Sequence, residues 1–115
     1  MPTKIYHNPR CSKSRQTLQL VEDKGVTPEI ILYLETPLDK AELNDLLDML
    51  GLQPRDLMRK NEVEYKEHVK DASELGRSEL IDLMIQYPKI IERPIVIRNG
   101  KARIGRPPEN VLDIL

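Results

Sequence analysis

The sequence predicts an α/β domain. Three observations carry that prediction: a strand–helix–strand succession at the start, leucines at helical spacing in the middle, and Asn99-Gly100 between two β-like runs near the end. Lys4-Ile5-Tyr6-His7 reads as a short first strand. Asn8-Pro9-Arg10 breaks it, because the residue before a proline is pushed away from helical angles. A helix follows through Leu18, Leu20 and Val21, capped at its start by Ser12 or Ser14 and stopped at Lys24-Gly25. Pro28 to Leu34 contains Ile30-Ile31-Leu32, a continuous apolar run suited to a strand covered on both faces. Strand, helix, strand in that order is a βαβ unit, whose crossover favours a parallel pair.

The middle of the chain changes character. Asp39 with Glu42 three residues later forms a capping-box-like start in which Asp replaces the usual Ser or Thr. Leu43, Leu46, Leu47 and Leu50 recur at helical spacing, and Gly51 ends that helix. Pro54 to Leu57 looks like a helical turn, and Glu62 to Lys70 is charged and weakly helical. Gly76 to Gln86 gives an amphipathic helix with Leu80, Leu83 and Met84 on one face, closed by Tyr87-Pro88.

The tail returns to β structure. Pro94-Ile95-Val96-Ile97-Arg98 and Lys101-Ala102-Arg103-Ile104 flank Asn99-Gly100. A type I′ turn needs positive φ at both central residues, which makes Asn-Gly the strongest short-range hairpin signal. Pro107-Pro108 opens a final helix carrying Val111, Leu112, Ile114 and Leu115. The order β-α-β, helical insert, β-β-α describes a thioredoxin/glutaredoxin-like mixed sheet. The expected organisation is a single domain over 1–115 with a helical subdomain at about 39–88.

Composition narrows the function classes. At 115 residues the chain has the size of one domain. Folding at that size buries roughly two-thirds of the unfolded chain's surface, enough for one core without staples. That core must be aliphatic, since there is no Trp, no Phe and only four Tyr. A net charge of −1 gives no reason to expect nucleic acid or membrane partners. Nothing at the start resembles a signal peptide, and no segment approaches the roughly 20 apolar residues of a membrane span. One cysteine cannot form an intramolecular disulfide, which fits a reducing compartment, so a cytoplasmic location is expected.

That cysteine carries the chemistry. Cys11 falls between the first strand and the first helix, where unpaired backbone N–H groups and the positive end of the helix dipole stabilise a thiolate. Arg10, Lys13 and Arg15 add positive charge in the same turn. Both effects lower the thiol's pKa and make it nucleophilic near neutral pH. A lone Cys is otherwise a small buried hydrophobe, but the polar and cationic neighbours here favour a loop. His7 either assists deprotonation or orients the loop, or is simply the last residue of its strand. Asn8 has the chemistry to hydrogen-bond the loop backbone. Ser14 completes a C-x-x-S arrangement, its hydroxyl either donating to the thiolate or serving as a plain cap. With no second cysteine to resolve an intermediate, any redox cycle must use an external thiol. His68, Asp45 and Asp48 show no metal-ligand pattern and read as surface, and no metal or tightly bound cofactor is expected.

His7-Asn8-Pro9-Arg10-Cys11-Ser12-Lys13-Ser14-Arg15 resembles the H-N-P-x-C-x-x-S-R signature of arsenate reductases coupled to glutathione and glutaredoxin, the ArsC family. Leu57-Met58-Arg59-Lys60-Asn61 is similar to the family's central R-K-N element, Glu92-Arg93-Pro94-Ile95-Val96 to its R-P-I-V strand, and Gly105-Arg106-Pro107 through Leu115 to its closing segment. Together these blocks span essentially the whole chain in the right order. The resemblance implies that Cys11 forms a covalent thiol–arsenic adduct and that Arg59, Arg93 and Arg106 bind the oxyanion. It implies that His7 and Ser14 shape or activate the thiol, with Asn8 and Arg15 structural beside them. It also makes Pro94 the cis-proline that such folds place opposite the cysteine loop. Glutathione would be the co-substrate and glutaredoxin the partner of a monomeric enzyme. In the family's loop Cys-Gly-Thr-Ser is the familiar form, whereas this chain has Cys11-Ser12-Lys13-Ser14.

The physics of that assignment is coherent on its own. Arsenate near neutral pH is a tetrahedral, mostly dianionic oxyanion, and cations are needed to bring it next to a thiolate. Arginine's planar fork supplies paired hydrogen bonds and stays charged. The same cations stabilise charge that builds as sulfur attacks arsenic. Each of the nine arginines is also a candidate for plain solvated surface, and spacing alone does not distinguish Arg59, Arg93 or Arg106. Two other readings stand beside reduction of arsenate. A monothiol exchange enzyme acting on glutathione mixed disulfides needs Cys11 but not three arginines. A Spx-like regulator that binds RNA polymerase without catalysis usually carries a C-x-x-C switch, and here Ser14 takes the place of the second cysteine.

Overall fold

The computed structural model describes residues 2–115. Strands β1 (Thr3–Tyr6), β2 (Glu29–Ile31), β3 (Ile95–Arg98) and β4 (Lys101–Ile104) form one sheet in the order β2-β1-β3-β4. Helix α1 (Ser12–Asp23) joins β1 to β2; α2 (Lys40–Leu50), α3 (Val63–His68) and α4 (Arg77–Gln86) lie between β2 and β3. This is the thioredoxin-like mixed sheet expected from the order of elements. The chain divides into two compact units, one made of residues up to Thr36 together with Arg93–Leu115, the other of Pro37–Glu92.

In the sheet unit, β1 is central. It runs parallel to β2 with Ile5 opposite Ile30, and antiparallel to β3 with Ile5 opposite Val96. Ile5, Val21, Val96, Val111 and Ile114 form a buried cluster, with Leu18, Leu20, Val26 and Leu115 packed against it. Each fully buried aliphatic side chain of this kind contributes about 1.5–3 kcal/mol relative to leaving it in water. The 12-residue crossover of α1 supplies Val21 to that cluster, and the terminal segment supplies Val111 and Ile114.

The β3–β4 hairpin turns at Asn99 and Gly100, with φ of 59° and 75°. Those angles are what the Asn-Gly pair admits and most residues resist.

Three expectations are corrected here. The N-cap of α1 is Cys11, with φ −95° and ψ 124°, rather than Ser12 or Ser14; Ser14 is buried inside the first turn. β2 is not covered on both faces: it is an edge strand, and Ile30 is 46% exposed. An apolar run states only that a strand is tolerated there, not how many neighbours it gains. The last segment, Pro108–Ile114, is a 3-10 helix.

The helical unit is built from local signals. The Asp39 carboxylate accepts from the Glu42 N–H at 2.7 Å, and the Asp39 N–H donates back to Glu42 at 3.3 Å, a complete capping box. Gly51 ends α2 in the left-handed region at φ 68°. Leu43, Leu46 and Leu47 of α2 and Leu80, Ile81 and Met84 of α4 are buried. Arg77 ties the two helices together, bonding the Asn44 side chain at 3.0 Å and Asp48 at 2.9 Å. Met58 and Ile91 form an isolated antiparallel bridge. His68 stacks on Tyr87 with ring centroids 4.7 Å apart. No helix among the described residues is long and apolar enough to cross a membrane.

Candidate active site

The loop after β1 is built around Ser14. The hydroxyl of Ser14, fully buried, accepts from the Asn8 N–H at 3.0 Å and lies 2.6 Å from Nδ1 of His7. The Asn8 side chain accepts from the Arg10 N–H at 3.0 Å, an Asx turn of the sort asparagine favours. The Cys11 N–H donates to the Asn8 carbonyl at 3.0 Å, and the Arg15 N–H to the Cys11 carbonyl at 3.0 Å. The Arg15 guanidinium donates to the Pro9 carbonyl at 2.9 Å. Asn8, Ser14 and Arg15 therefore hold the backbone on either side of Cys11, and the thiol is left half-buried at the start of α1. Ser14 reaches the sulfur through its backbone N–H; its hydroxyl is engaged with His7 and Asn8.

Two guanidinium groups face that sulfur. Nη2 of Arg106 donates to Cys11 Sγ at 3.4 Å, while Nε of the same group donates to the Arg93 carbonyl at 2.8 Å. Burial pushes the Cys11 thiol up. The Ser14 N–H, the hydrogen bond and charge of Arg93, and the charge of Arg106 outweigh that effect, so the thiol's pKa lies below the ordinary cysteine value. His7 is shifted down by burial and then by the Arg15 charge, which keeps its imidazole neutral near pH 7. The Arg93–Pro94 peptide is cis, as is Arg106–Pro107.

The sheet unit thus brings together Cys11, His7, Ser14, Asn8, Arg15, Arg93, Pro94 and Arg106. Arg59 belongs to the helical unit. There its N–H donates to the Ile90 carbonyl at 2.7 Å, and its guanidinium stands 3.9 Å from Glu62. Nη1 of Arg59 is shielded from solvent and meets no acceptor among the described residues. On the β2 side of the cysteine loop, a cleft of about 290 Å³ runs between His7–Arg10 and Leu32, Leu34 and Glu35. Arg10 and Glu35 put one charge of each sign in its wall, and neither forms an ion pair among the described residues. Among the described residues no group of three or more His, Cys, Asp or Glu could hold a metal ion.

Thr17 escapes a reading by motif, and Gly105 enters only as the first residue of the Gly105-Arg106-Pro107 block. Thr17 is fully buried, and its hydroxyl donates to the Lys13 carbonyl at 2.8 Å and lies 3.4 Å from the Gly105 carbonyl oxygen. Gly105 is buried beside it. The available signal was spacing: Thr17 falls three residues after Ser14, on the same face of α1. The contact with Gly105 spans 88 residues, which no local pattern encodes.

Comparison with known proteins places these residues in a family context. The model of the ArsC family matches residues 6–114. The Escherichia coli K12 protein YfgD, described as uncharacterized, is 59% identical over 113 residues, covering 97% of this chain and 95% of that one. A Neisseria meningitidis protein named arsenate reductase is 46% identical over 113 residues, 97% of each chain. The solved structure of a Vibrio cholerae protein titled arsenate reductase superposes with a TM-score of 0.96 at 52% identity, covering 100% of this chain and 98% of that one.

Proposed function

The chain belongs to the ArsC family, and from that premise we propose that it reduces arsenate to arsenite through Cys11, with electrons from glutathione and glutaredoxin. The observation that carries the reading is the sulfur of Cys11 at the start of α1 with the guanidinium groups of Arg93 and Arg106 against it. Two planar cations beside a nucleophile suit a tetrahedral dianion that must approach it.

In the reading, arsenate docks on these arginines and the Cys11 thiolate attacks arsenic. A sulfur–arsenic bond forms and one oxygen leaves as water, taking protons from the medium. Glutathione thiolate then attacks the Cys11 sulfur. The sulfur–arsenic electron pair goes to arsenic, which falls from As(V) to As(III) and departs as arsenite, leaving Cys11 in a mixed disulfide with glutathione. A glutaredoxin thiol takes the glutathione and returns Cys11 to its reduced form. Two thiols supply the two electrons, so one protein cysteine suffices. Arg59 is assigned to the oxyanion on the Arg59-Lys60-Asn61 motif alone. Arg10 and Glu35, in the cleft lined by Leu32 and Leu34, suit the zwitterionic end of glutathione. A monomer working in the cytoplasm fits this chemistry.

The test is a coupled assay containing glutathione, glutaredoxin, glutathione reductase and NADPH, run with and without arsenate. Arsenate-dependent NADPH oxidation is expected. NADPH consumption that arsenate does not accelerate, with turnover of a glutathione mixed disulfide instead, would replace this reading by monothiol exchange.

A further inference from the structure

Gly105 is a point of very close approach. Its N–H donates to the Pro94 carbonyl at 2.9 Å. A Cβ built on it would lie 2.5 Å from Oγ1 and 2.8 Å from Cγ2 of Thr17, and 2.9 Å from Cγ of Pro94. Its φ lies outside the left-handed region, so what glycine provides here is space. The next residue is Arg106, whose guanidinium spans the Arg93 carbonyl and the Cys11 sulfur. Thr17 lies on α1 six residues after Cys11, and its hydroxyl bonds the carbonyl of Lys13 in the first turn. The helix that begins at the nucleophile and the loop that carries the cation therefore meet at one close-packed contact.

We propose that Thr17 and Gly105 are positioning residues, whose contact with each other and with Pro94 sets the guanidinium of Arg106 against the sulfur of Cys11. Close-packed interiors pass on small displacements rather than absorbing them. A side chain at position 105 must push the start of the Arg106 loop away from Thr17 and Pro94. The guanidinium, tethered at Nε to the residue before Pro94, is then drawn off the sulfur. The proposal rests on reading Cys11 as a thiolate held by Arg106, and it does not depend on which oxyanion is the substrate.

The test is the pH dependence of Cys11 alkylation by iodoacetamide, with far-ultraviolet circular dichroism to establish the fold of each variant. Gly105→Ala is expected to raise the thiol's midpoint by about one unit. Thr17→Ala, which truncates instead of crowding, should raise it less, with Thr17→Ser between it and wild type. In the double variant the midpoint should fall part of the way back toward that of Thr17→Ala alone, because the alanine at 105 then has room on the α1 side while Pro94 Cγ still crowds it. Arg106→Ala is the reference. If it leaves the midpoint where it was, the electrostatic reading fails and the proposal with it. If Arg106→Ala shifts the midpoint while folded Gly105→Ala does not, only the positioning role is overturned. A Gly105→Ala shift that Thr17→Ala fails to relieve also overturns it. Should Gly105→Ala not fold, a folded Thr17→Ala with the wild-type midpoint decides against the proposal.

Discussion

Nη2 of Arg106 stands 3.4 Å from the sulfur of Cys11, across 95 residues of sequence. The guanidinium is not free to swing away, because its Nε is fixed on the Arg93 carbonyl at 2.8 Å. Arg93 itself faces the sulfur, so one cation orients the other while both stabilise the thiolate. Charge and geometry at the sulfur are therefore set together within the fold. This is the preorganisation that makes electrostatic stabilisation effective.

The thiol should titrate below the ordinary cysteine range of about 8.5. Thiolate absorbance near 240 nm against pH reads this directly, and Arg93→Ala and Arg106→Ala should each move the midpoint up. The sign carries over to stability. A group whose folded pKa is depressed stabilises the fold above its unfolded value, and that contribution is lost as pH falls through the folded pKa. Denaturation of the wild type should show that slope downward from about pH 8.5, and Cys11→Ser should lack it. Equal slopes in the two proteins would mean the thiolate is not held by the fold.

Cys11→Ser should fold and show no arsenate-dependent NADPH oxidation. Arg93→Ala and Arg59→Ala should raise the KM for arsenate by about 10- to 100-fold, the range for a lost hydrogen bond to a charged group. For Arg59 the expectation follows from the Arg59-Lys60-Asn61 motif. Steady-state kinetics with arsenate varied is the measurement, and unchanged KM and kcat in either arginine variant would remove that residue from the site.

Local chemistry explains which parts of the chain were legible in its sequence. Asn99-Gly100, Asp39 with Glu42, and Gly51 each fix their own backbone, and each does in the structure what its residue type demands. The position of Cys11 at the start of α1 follows from Pro9 and the helix after it. What was not legible depends on partners distant in the chain. Ser14 looks like a cap because serines commonly are, yet it is buried under His7 and Asn8, and Cys11 takes the cap position. The run Ile30-Ile31-Leu32 suggests an interior strand, but nothing in it says that only β1 will pair with it. Thr17 carries no motif, and the Gly105-Arg106-Pro107 block does not say what Gly105 touches, because the meaning of both is a contact.

Ser14→Ala should cost about 1–3 kcal/mol of stability, the penalty for a buried polar group left without its partner. The variant strands the Asn8 N–H, and removes the oxygen 2.6 Å from His7 Nδ1. Urea denaturation measures the loss. Ser14→Thr, which keeps the oxygen, should recover part of it at the expense of fitting a methyl group into a fully buried position. A Ser14→Ala variant as stable as wild type would show that the hydroxyl network does not hold the cysteine loop.

His7 adds a second slope of the same sign at lower pH. Burial, then the Arg15 charge, holds its pKa below the usual value of about 6.5, so the unfolded chain takes up a proton there before the folded one does. Stability should therefore fall as pH drops through about 6.5, and stop falling on this account once the folded pKa is passed. His7→Gln carries no titrating ring, so its denaturation midpoint should lose that slope while carboxylates, which titrate lower, still respond. Urea midpoints between pH 7.5 and 5 for the two proteins make the comparison. If both decline in parallel across that interval, His7 is not buried as a neutral ring, and the loop is held by Ser14 and Asn8 without it.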